Sequence, residues 1–209
     1  KPLGGGQTMA FLPAWGGRYY GNYPEHEPDP RMGGKEGLKQ LVKKAHRMGV
    51  KVILMFGGPN LSTFEFLKKN KMMDAGLKTA AGQVKIQNWL DWNTDLQIET
   101  MGLIMNFGHP RYRDYMISKT ADLFDTYDID GIFLDGTLRW QNSPDFSTYE
   151  GLVQYTQEIR KRYPEKMIMG EDGYDAIYGL FDLFHTSAGP LGLENYMLRY
   201  TRQFYYLAY

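Results

Sequence analysis

Two carboxylates stand at the ends of two successive predicted strands. The apolar run DGIFLD ends on Asp135, and the later run KMIMGE ends on Glu171. In parallel α/β folds the carboxyl ends of the strands meet at one edge, where functional side chains gather. Two carboxylates at that edge can combine nucleophilic attack with proton transfer at one bond. The pair is therefore the leading candidate for a catalytic centre.

The expected spacing of this pair narrows the chemistry. Neighbouring parallel strands lie about 4.8 Å apart, so inward-facing carboxylates at their tips should lie roughly 5 to 6 Å apart. That is close to the roughly 5 to 5.5 Å of retaining glycosidases and below the roughly 6.5 to 9.5 Å of inverting ones. In a retaining enzyme one carboxylate attacks the anomeric carbon and the other protonates the leaving oxygen.

Each carboxylate also has a structural interpretation. Asp135 precedes Gly136, and Asp-Gly is good turn chemistry, so Asp135 by itself is well explained as a turn residue. Glu171 follows Gly170 at the end of an apolar strand, where it has no turn role and where an unpaired buried charge is costly. Taken together, the two residues favour the catalytic interpretation.

Seven further residues near the strand ends are predicted to bind substrate. They are Trp15, Tyr19, Tyr20, Arg139, Trp140, Asp172 and His185. The aromatic rings suit stacking on sugar rings, and the arginine suits hydroxyl binding or orientation of a carboxylate. The alternatives are loop packing for the aromatic residues, a surface salt bridge for the arginine and a structural role for the histidine.

The elements that must position these residues alternate between strand and helix. Strands are predicted over residues 8–15, 51–56, 130–135, 166–171 and 181–187, and helices over residues 35–48, 109–126, 146–162, 174–179 and 196–209. Alternation of this kind predicts a parallel sheet with right-handed crossovers. We expect a single α/β domain over residues 1–209, a TIM (β/α)8-type barrel that is incomplete in this chain.

Residues 57–108 are predicted to form an excursion above the sheet, with a helix over residues 63–70 and strands in VKIQNW and LIMNF.

Composition limits the partners. Lys and Arg total 24, as do Asp and Glu, so no nucleic acid or membrane partner is expected. The chain has no cysteine, which excludes disulfides and thiolate chemistry. No spacing suits a metal or a phosphate-binding loop, so no metal and no cofactor is predicted. We expect a carbohydrate substrate, further sequence or another chain to complete the barrel, and an extracellular or periplasmic location.

The run YDIDGIFLDG, a helix, and then RYPEKMIMGED together resemble the α-amylase clan of glycoside hydrolases. GGKEGLKQLVKKAHRMGVKVILMF resembles the preceding helix and strand of that clan and of other barrel glycosidases. A closer resemblance, over most of the chain from Met9 to about Ser187, is to uncharacterised bacterial barrels described as glycosyl hydrolases. The resemblance implies that Asp135 is the nucleophile and Glu171 the general acid and base. The clan usually carries Arg where this chain has Phe133, and GGPN replaces the Asp and His that often follow the preceding strand, which argues against a starch-type substrate.

Two alternatives remain open at this stage. In barrels that resemble α-galactosidases the nucleophile lies on the same strand but the acid comes from a later one, so that Asp182 or a residue outside this chain would serve. The other alternative is a catalytically silent barrel that binds carbohydrate or acts as a scaffold.

Overall fold

The computed structural model describes residues 8–17, 23–57, 59, 61–90, 98–137, 143–185 and 202–203. The strands are β1 (Thr8–Leu12), β2 (Val50–Phe56), β3 (Ser62–Thr63), β4 (Ile86–Leu90), β5 (Ile98–Leu103), β6 (Gly131–Leu134), β7 (Met167–Glu171), β8 (Leu183–His185) and β9 (Arg202–Gln203). The α-helices are α1 (Gly34–Arg47), α2 (Phe64–Lys69), α3 (Pro110–Tyr127) and α4 (Thr148–Arg162). Short 3-10 helices span Pro30–Met32, Met73–Ala75 and Asp175–Leu180.

A six-stranded parallel sheet organises the described residues. Its strand order is β1-β2-β6-β7-β8-β9, and every neighbouring pair is parallel. In the described residues α-helices precede β2, β6 and β7, and a 3-10 helix precedes β8, which gives the crossovers that parallel pairing requires. A second, antiparallel sheet of order β3-β5-β4 lies between β2 and α3 in the chain. The carboxyl ends of the parallel strands therefore share one edge.

The two faces of the parallel sheet differ in what covers them. One face, here called the outer face, packs against α1, α3 and α4 in a large apolar cluster. The opposite, inner face carries a smaller apolar cluster made by alternate strand residues: Met9, Phe11, Ile53, Met55, Phe133, Met167, Met169 and Leu183. Because side chains alternate across a strand, the faces can be followed residue by residue to the strand tips.

Local signals explain where the helices begin and end. Pro110 begins α3, where its missing N–H costs nothing, and Asp128 ends it in a left-handed conformation (φ 53°). Ser147 caps α4, since its hydroxyl accepts a hydrogen bond from the Glu150 N–H at 3.2 Å. Gly49 follows α1 with φ 72°, the left-handed conformation in which glycine commonly ends a helix. Among the described helices, none is long and apolar enough to cross a bilayer.

The predicted strands and helices that precede residue 186 are found, with shifts of a few residues at their ends. The strand predicted in LIMNF is an exception, because β5 spans Ile98–Leu103 and overlaps that run at Leu103 alone. The predicted terminal helix is wrong at Arg202–Gln203, which pair with β8 as a parallel strand. Tyr and Phe, which dominate that segment, favour strands as well as apolar helix faces, so tertiary pairing decided the outcome.

Candidate active site

Asp135 lies directly after β6, in the interior. The residue is only 1% exposed to solvent. Its backbone N–H donates to the Phe56 carbonyl at 3.2 Å, so the ladder to β2 continues to this residue. The next residue, Gly136, has φ 72°, as the Asp-Gly turn chemistry predicts. Asp135 is thus both the last ladder residue of its strand and a deeply buried carboxylic side chain.

Glu171 is the last residue of β7 and is half-buried. The Gly136 N–H donates to its Oε2 at 3.1 Å. Its backbone carbonyl accepts from the Thr137 N–H at 3.1 Å. The turn that follows Asp135 therefore holds both the carboxylate and the backbone of Glu171.

Strand register places the two carboxylates next to each other. Phe133 pairs with Met169 and Leu134 with Gly170, so the following residues, Asp135 and Glu171, are the next pair in line. Since Phe133 and Met169 belong to the inner face, alternation directs Asp135 and Glu171 to that same face. The geometry is that of two carboxylates at adjacent tips of a parallel sheet, one buried and one partly open to solvent.

His185 joins this pair from the next strand. It ends β8 in register with Glu171, and its ring lies 6.4 Å from that of Phe133 on the inner face. Burial lowers the pKa of His185, although the negative charges of Glu171 and Asp172 act in the opposite direction. The imidazole is therefore biased towards its neutral form, in which it can both donate and accept a hydrogen bond.

Asp172 forms the turn after Glu171. It has φ 52°, an uncommon conformation for a residue with a side chain, and its N–H donates to the His185 carbonyl at 2.7 Å. The Thr137 hydroxyl lies 2.6 Å from the carbonyl oxygens of both Glu171 and Asp172. Hydrogen bonds thus join the carboxyl ends of β6, β7 and β8 next to Asp135 and Glu171. Thr137 was not singled out by its sequence, because a threonine near a strand end carries no signal of its partner.

Trp15 does not present a ring face to solvent at this edge. It is 6% exposed, and its Nε1–H donates to the Met55 carbonyl at 2.9 Å. Its ring stacks on His26, at 6.1 Å between centroids. This placement agrees with the packing alternative for Trp15, and its stacking on substrate stays a prediction.

His26 is a residue that the sequence did not single out. It is 1% exposed and packs against Tyr23 at 4.6 Å and Phe56 at 4.2 Å between ring centroids. Burial first, and the positive charge of Lys119 second, hold the pKa of His26 well below its usual value. A histidine between charged residues in a loop looks solvent-exposed in sequence, and only the fold reveals this aromatic enclosure.

The remaining predicted binding residues, Tyr19, Tyr20, Arg139 and Trp140, lie outside the described residues. Asp182 is described, and it lies at the opposite edge of the sheet. Its Oδ2 accepts from the Ile168 N–H at 2.8 Å near the start of β7, and Arg160 approaches its other oxygen at 3.3 Å. The suggestion that Asp182 supplies the acid is therefore wrong, because it precedes its strand instead of following it.

Within the described part of the chain, no group of three or more acidic or histidine side chains is arranged to hold a metal ion. The acidic and basic groups at the strand tips are those named above. Their arrangement suits proton transfer and nucleophilic attack by carboxylates.

A family model described as Glycosyl hydrolase-like 10 matches residues 13–170. The match includes Asp135 and ends one residue before Glu171. A cyclomaltodextrinase from Geobacillus thermopakistaniensis is 29% identical over 168 residues, which are 72% of this chain and 26% of that protein.

Solved structures show the same fold. A noncanonic maltogenic alpha-amylase from Thermotoga neapolitana superimposes with a TM-score of 0.60 at 16% identity, over 93% of this chain and 43% of that one. An alpha-N-acetylgalactosaminidase from Bifidobacterium bifidum gives 0.64 at 15% identity, over 85% and 29%. The predicted TIM-type barrel architecture is confirmed: the parallel sheet corresponds to part of such a barrel. The chain spans about a quarter of the curated relative and less than half of either solved chain.

Proposed function

Since this chain belongs to the Glycosyl hydrolase-like 10 family, we propose that it carries the two catalytic carboxylates of a retaining glycosidase, Asp135 and Glu171. The observation that supports this most directly is the register of β6 and β7, which makes the two residues the next pair in line on the inner face. Adjacent strands at about 4.8 Å favour a separation near that of retaining enzymes.

The proposed reaction has two steps. The Asp135 carboxylate attacks the anomeric carbon, the glycosidic C–O bond breaks, and the proton carried by Glu171 moves to the leaving oxygen. In the second step water attacks the same carbon, Glu171 takes its proton, and the bond to Asp135 breaks. Both carboxyl groups return to their starting states, and the sugar keeps its anomeric configuration.

Burial supports this division of roles. A general acid and base must exchange its proton with water between steps, and Glu171 is half-buried, not enclosed. The nucleophile needs a fixed position close to the anomeric carbon, and Asp135 is held at the end of a strand in the interior. The neutral bias of the His185 ring fits it to bind a sugar hydroxyl beside Glu171.

We further propose that other parts of a longer protein complete the barrel around this site. In the described residues β1 pairs on one side only, with β2. A groove of about 560 Å³ lies beside β1 and α1, with a largely apolar lining that includes Leu12, Leu38 and Leu41. In a barrel this position belongs to the next strand and helix unit, and the matched relatives are longer than this chain.

The test is a screen of the full-length protein against saccharides suggested by its relatives. The panel holds cyclomaltodextrins, maltooligosaccharides, aryl α-glucosides and aryl N-acetyl-α-galactosaminides. We expect turnover of at least one, and Asp135→Asn or Glu171→Gln should lower it by on the order of 10² to 10⁴-fold. Glu165→Gln, an exposed glutamate that precedes β7, is the matched control and should keep full activity.

Two results would count against the proposal. Unchanged turnover in either carboxylate variant would remove that residue from the mechanism. Saccharide binding without turnover would support the silent carbohydrate-binding barrel instead. Proton NMR of the first product formed would show whether the anomeric configuration is retained.

A further inference from the structure

Thr137 makes three hydrogen-bond contacts with the strand tip that carries Glu171. It is 3% exposed, and its hydroxyl oxygen lies 2.6 Å from the carbonyl oxygens of both Glu171 and Asp172. Its backbone N–H donates to the Glu171 carbonyl at 3.1 Å. A hydroxyl has one hydrogen to donate, so it is shared between, or alternates between, the two carbonyls.

The Thr137 hydroxyl binds the backbone at a sharp turn. Asp172 has φ 52°, so the chain turns sharply as soon as β7 ends. A left-handed residue with a side chain costs free energy and persists only where its surroundings enforce it. The turn brings the Glu171 and Asp172 carbonyls to one hydroxyl, and each partly buried carbonyl accepts a hydrogen bond there.

Gly170 makes room for this contact. A side-chain carbon at residue 170 would lie 2.9 Å from the Thr137 hydroxyl oxygen and 2.8 Å from the Phe184 ring. Any larger residue would therefore displace the hydroxyl from the two carbonyls. The absence of a side chain at Gly170 therefore leaves the space that the Thr137 hydroxyl occupies.

Gly136, which precedes Thr137, binds the side chain of Glu171. The Gly136 N–H donates to Glu171 Oε2 at 3.1 Å. Two successive residues of one turn thus hold Glu171 at its backbone carbonyl and at its side-chain oxygen. The turn begins at Asp135, so the position of one carboxylate is tied to the position of the other.

We propose that Thr137 is a positioning residue that fixes the Glu171 carboxylate relative to Asp135. The inference rests on the proposed function in one respect only, namely that Glu171 delivers the proton. Loss of the hydroxyl frees the Glu171–Asp172 turn, and the carboxylate leaves the position from which it reaches the leaving oxygen. The effect falls on the two steps in which Glu171 transfers a proton, and kcat/KM reports on the first of them.

The kinetic test compares two leaving groups in the full-length protein. Dinitrophenolate leaves without proton assistance, whereas the sugar hydroxyl of an oligosaccharide requires it. For Thr137→Val we expect kcat/KM to fall by on the order of 10 to 10²-fold on the oligosaccharide and by less than about 3-fold on the 2,4-dinitrophenyl glycoside. Thr137→Ser keeps the hydroxyl and should restore the ratio of the two substrates to that of the wild type.

Thr156→Val is the matched control. Thr156 lies in α4 and is 1% exposed. Its hydroxyl donates to the Leu152 carbonyl of the same helix at 3.0 Å. The variant removes a buried threonine hydroxyl of the same kind. It should lower the melting temperature without changing the ratio of kcat/KM between the two substrates. An equal ratio in Thr137→Val and Thr156→Val would overturn the inference.

A crystal structure of Thr137→Val separates this inference from the proposed function. We expect the Glu171 carboxylate to move by more than about 0.5 Å, the tolerance within which catalytic groups must be held. A carboxylate that stays in place overturns the positioning role, whatever the kinetics. If the wild type cleaves no glycoside and Glu171 nevertheless moves, the proposed function fails and the positioning role of Thr137 stands.

Discussion

At the scale of the residue, His26 shows how strongly burial can change a side chain's chemistry. It is enclosed by Trp15, Tyr23 and Phe56, and among the described residues its Nε2 has no hydrogen-bond partner. Its pKa is held well below the usual value, first by burial and then by the charge of Lys119. The folded protein therefore keeps this ring neutral at pH values where the unfolded chain protonates it.

This difference predicts a pH dependence of stability. Below the unfolded pKa of about 6.5 the unfolded state binds a proton at His26 that the folded state does not, so the free energy of unfolding should fall as pH falls. The slope from this one group is about 1.4 kcal/mol per pH unit between its unfolded and folded pKa values. His26→Asn lacks the titrating ring and tolerates the left-handed backbone (φ 50°). Urea titrations from pH 6.5 to 5 should give a shallower slope for the variant, and parallel slopes would contradict the prediction.

At the scale of the element, two aspartates join neighbouring strands at the edge opposite the site. Asp130 precedes β6, and its Oδ2 accepts from the Val52 N–H of β2 at 2.7 Å. Asp182 precedes β8 and accepts from the Ile168 N–H of β7 at 2.8 Å. In each case the aspartate N–H returns a bond to the carbonyl of the same residue, at 2.9 Å. The two aspartates thus help to fix the register of β6 on β2 and of β8 on β7.

The stability of the sheet should depend on these two side chains. Asp130→Ala and Asp182→Ala each leave a buried strand N–H without its acceptor, which costs about 1 to 3 kcal/mol. Asp175→Ala changes an exposed aspartate that begins the 3-10 helix after β7, and should cost less than about 0.5 kcal/mol. Urea unfolding at neutral pH measures all three. Alanine variants as stable as the Asp175 control would show that other groups satisfy these amides.

At the scale of the whole molecule, the groove beside β1 and α1 is the surface on which we expect the rest of a barrel to pack. The groove beside β1 and α1 includes Leu41, which is 43% exposed. A barrel unit from a longer protein would cover that side chain. Leu41 therefore reports whether the groove is occupied.

Leu41→Asp should distinguish the two states. In the full-length protein we expect a loss of about 1.5 to 3 kcal/mol, the transfer free energy of a leucine that becomes fully buried. In the 209-residue chain the loss should be smaller, because this side chain already meets water. Urea unfolding of both lengths provides the comparison. An equal loss in the two would show that the groove stays open.

Much of the architecture follows from the sequence, because it depends on local patterns. Apolar runs bounded by turn residues mark the parallel strands, and helical periodicity marks the helices between them. The positions of Asp135 and Glu171 at the ends of two successive strands follow from the same patterns. The helix predicted over residues 196–209 is wrong at Arg202–Gln203, where pairing with β8 forms a strand, and the rest of that segment lies outside the described residues.

Only the tertiary structure decided which distant parts of the chain come into contact. Thr137 meets residues 34 and 35 positions away, and His26 is enclosed by rings from two strand ends. The Trp15 N–H binds the Met55 carbonyl, and Asp182 lies at the edge of the sheet opposite the carboxylate pair. Periodicity determines which face and which end of an element a residue occupies, since both are local properties of the backbone. Which groups it meets there depends on how the crossovers bring separate elements together, and that is a property of the packed whole.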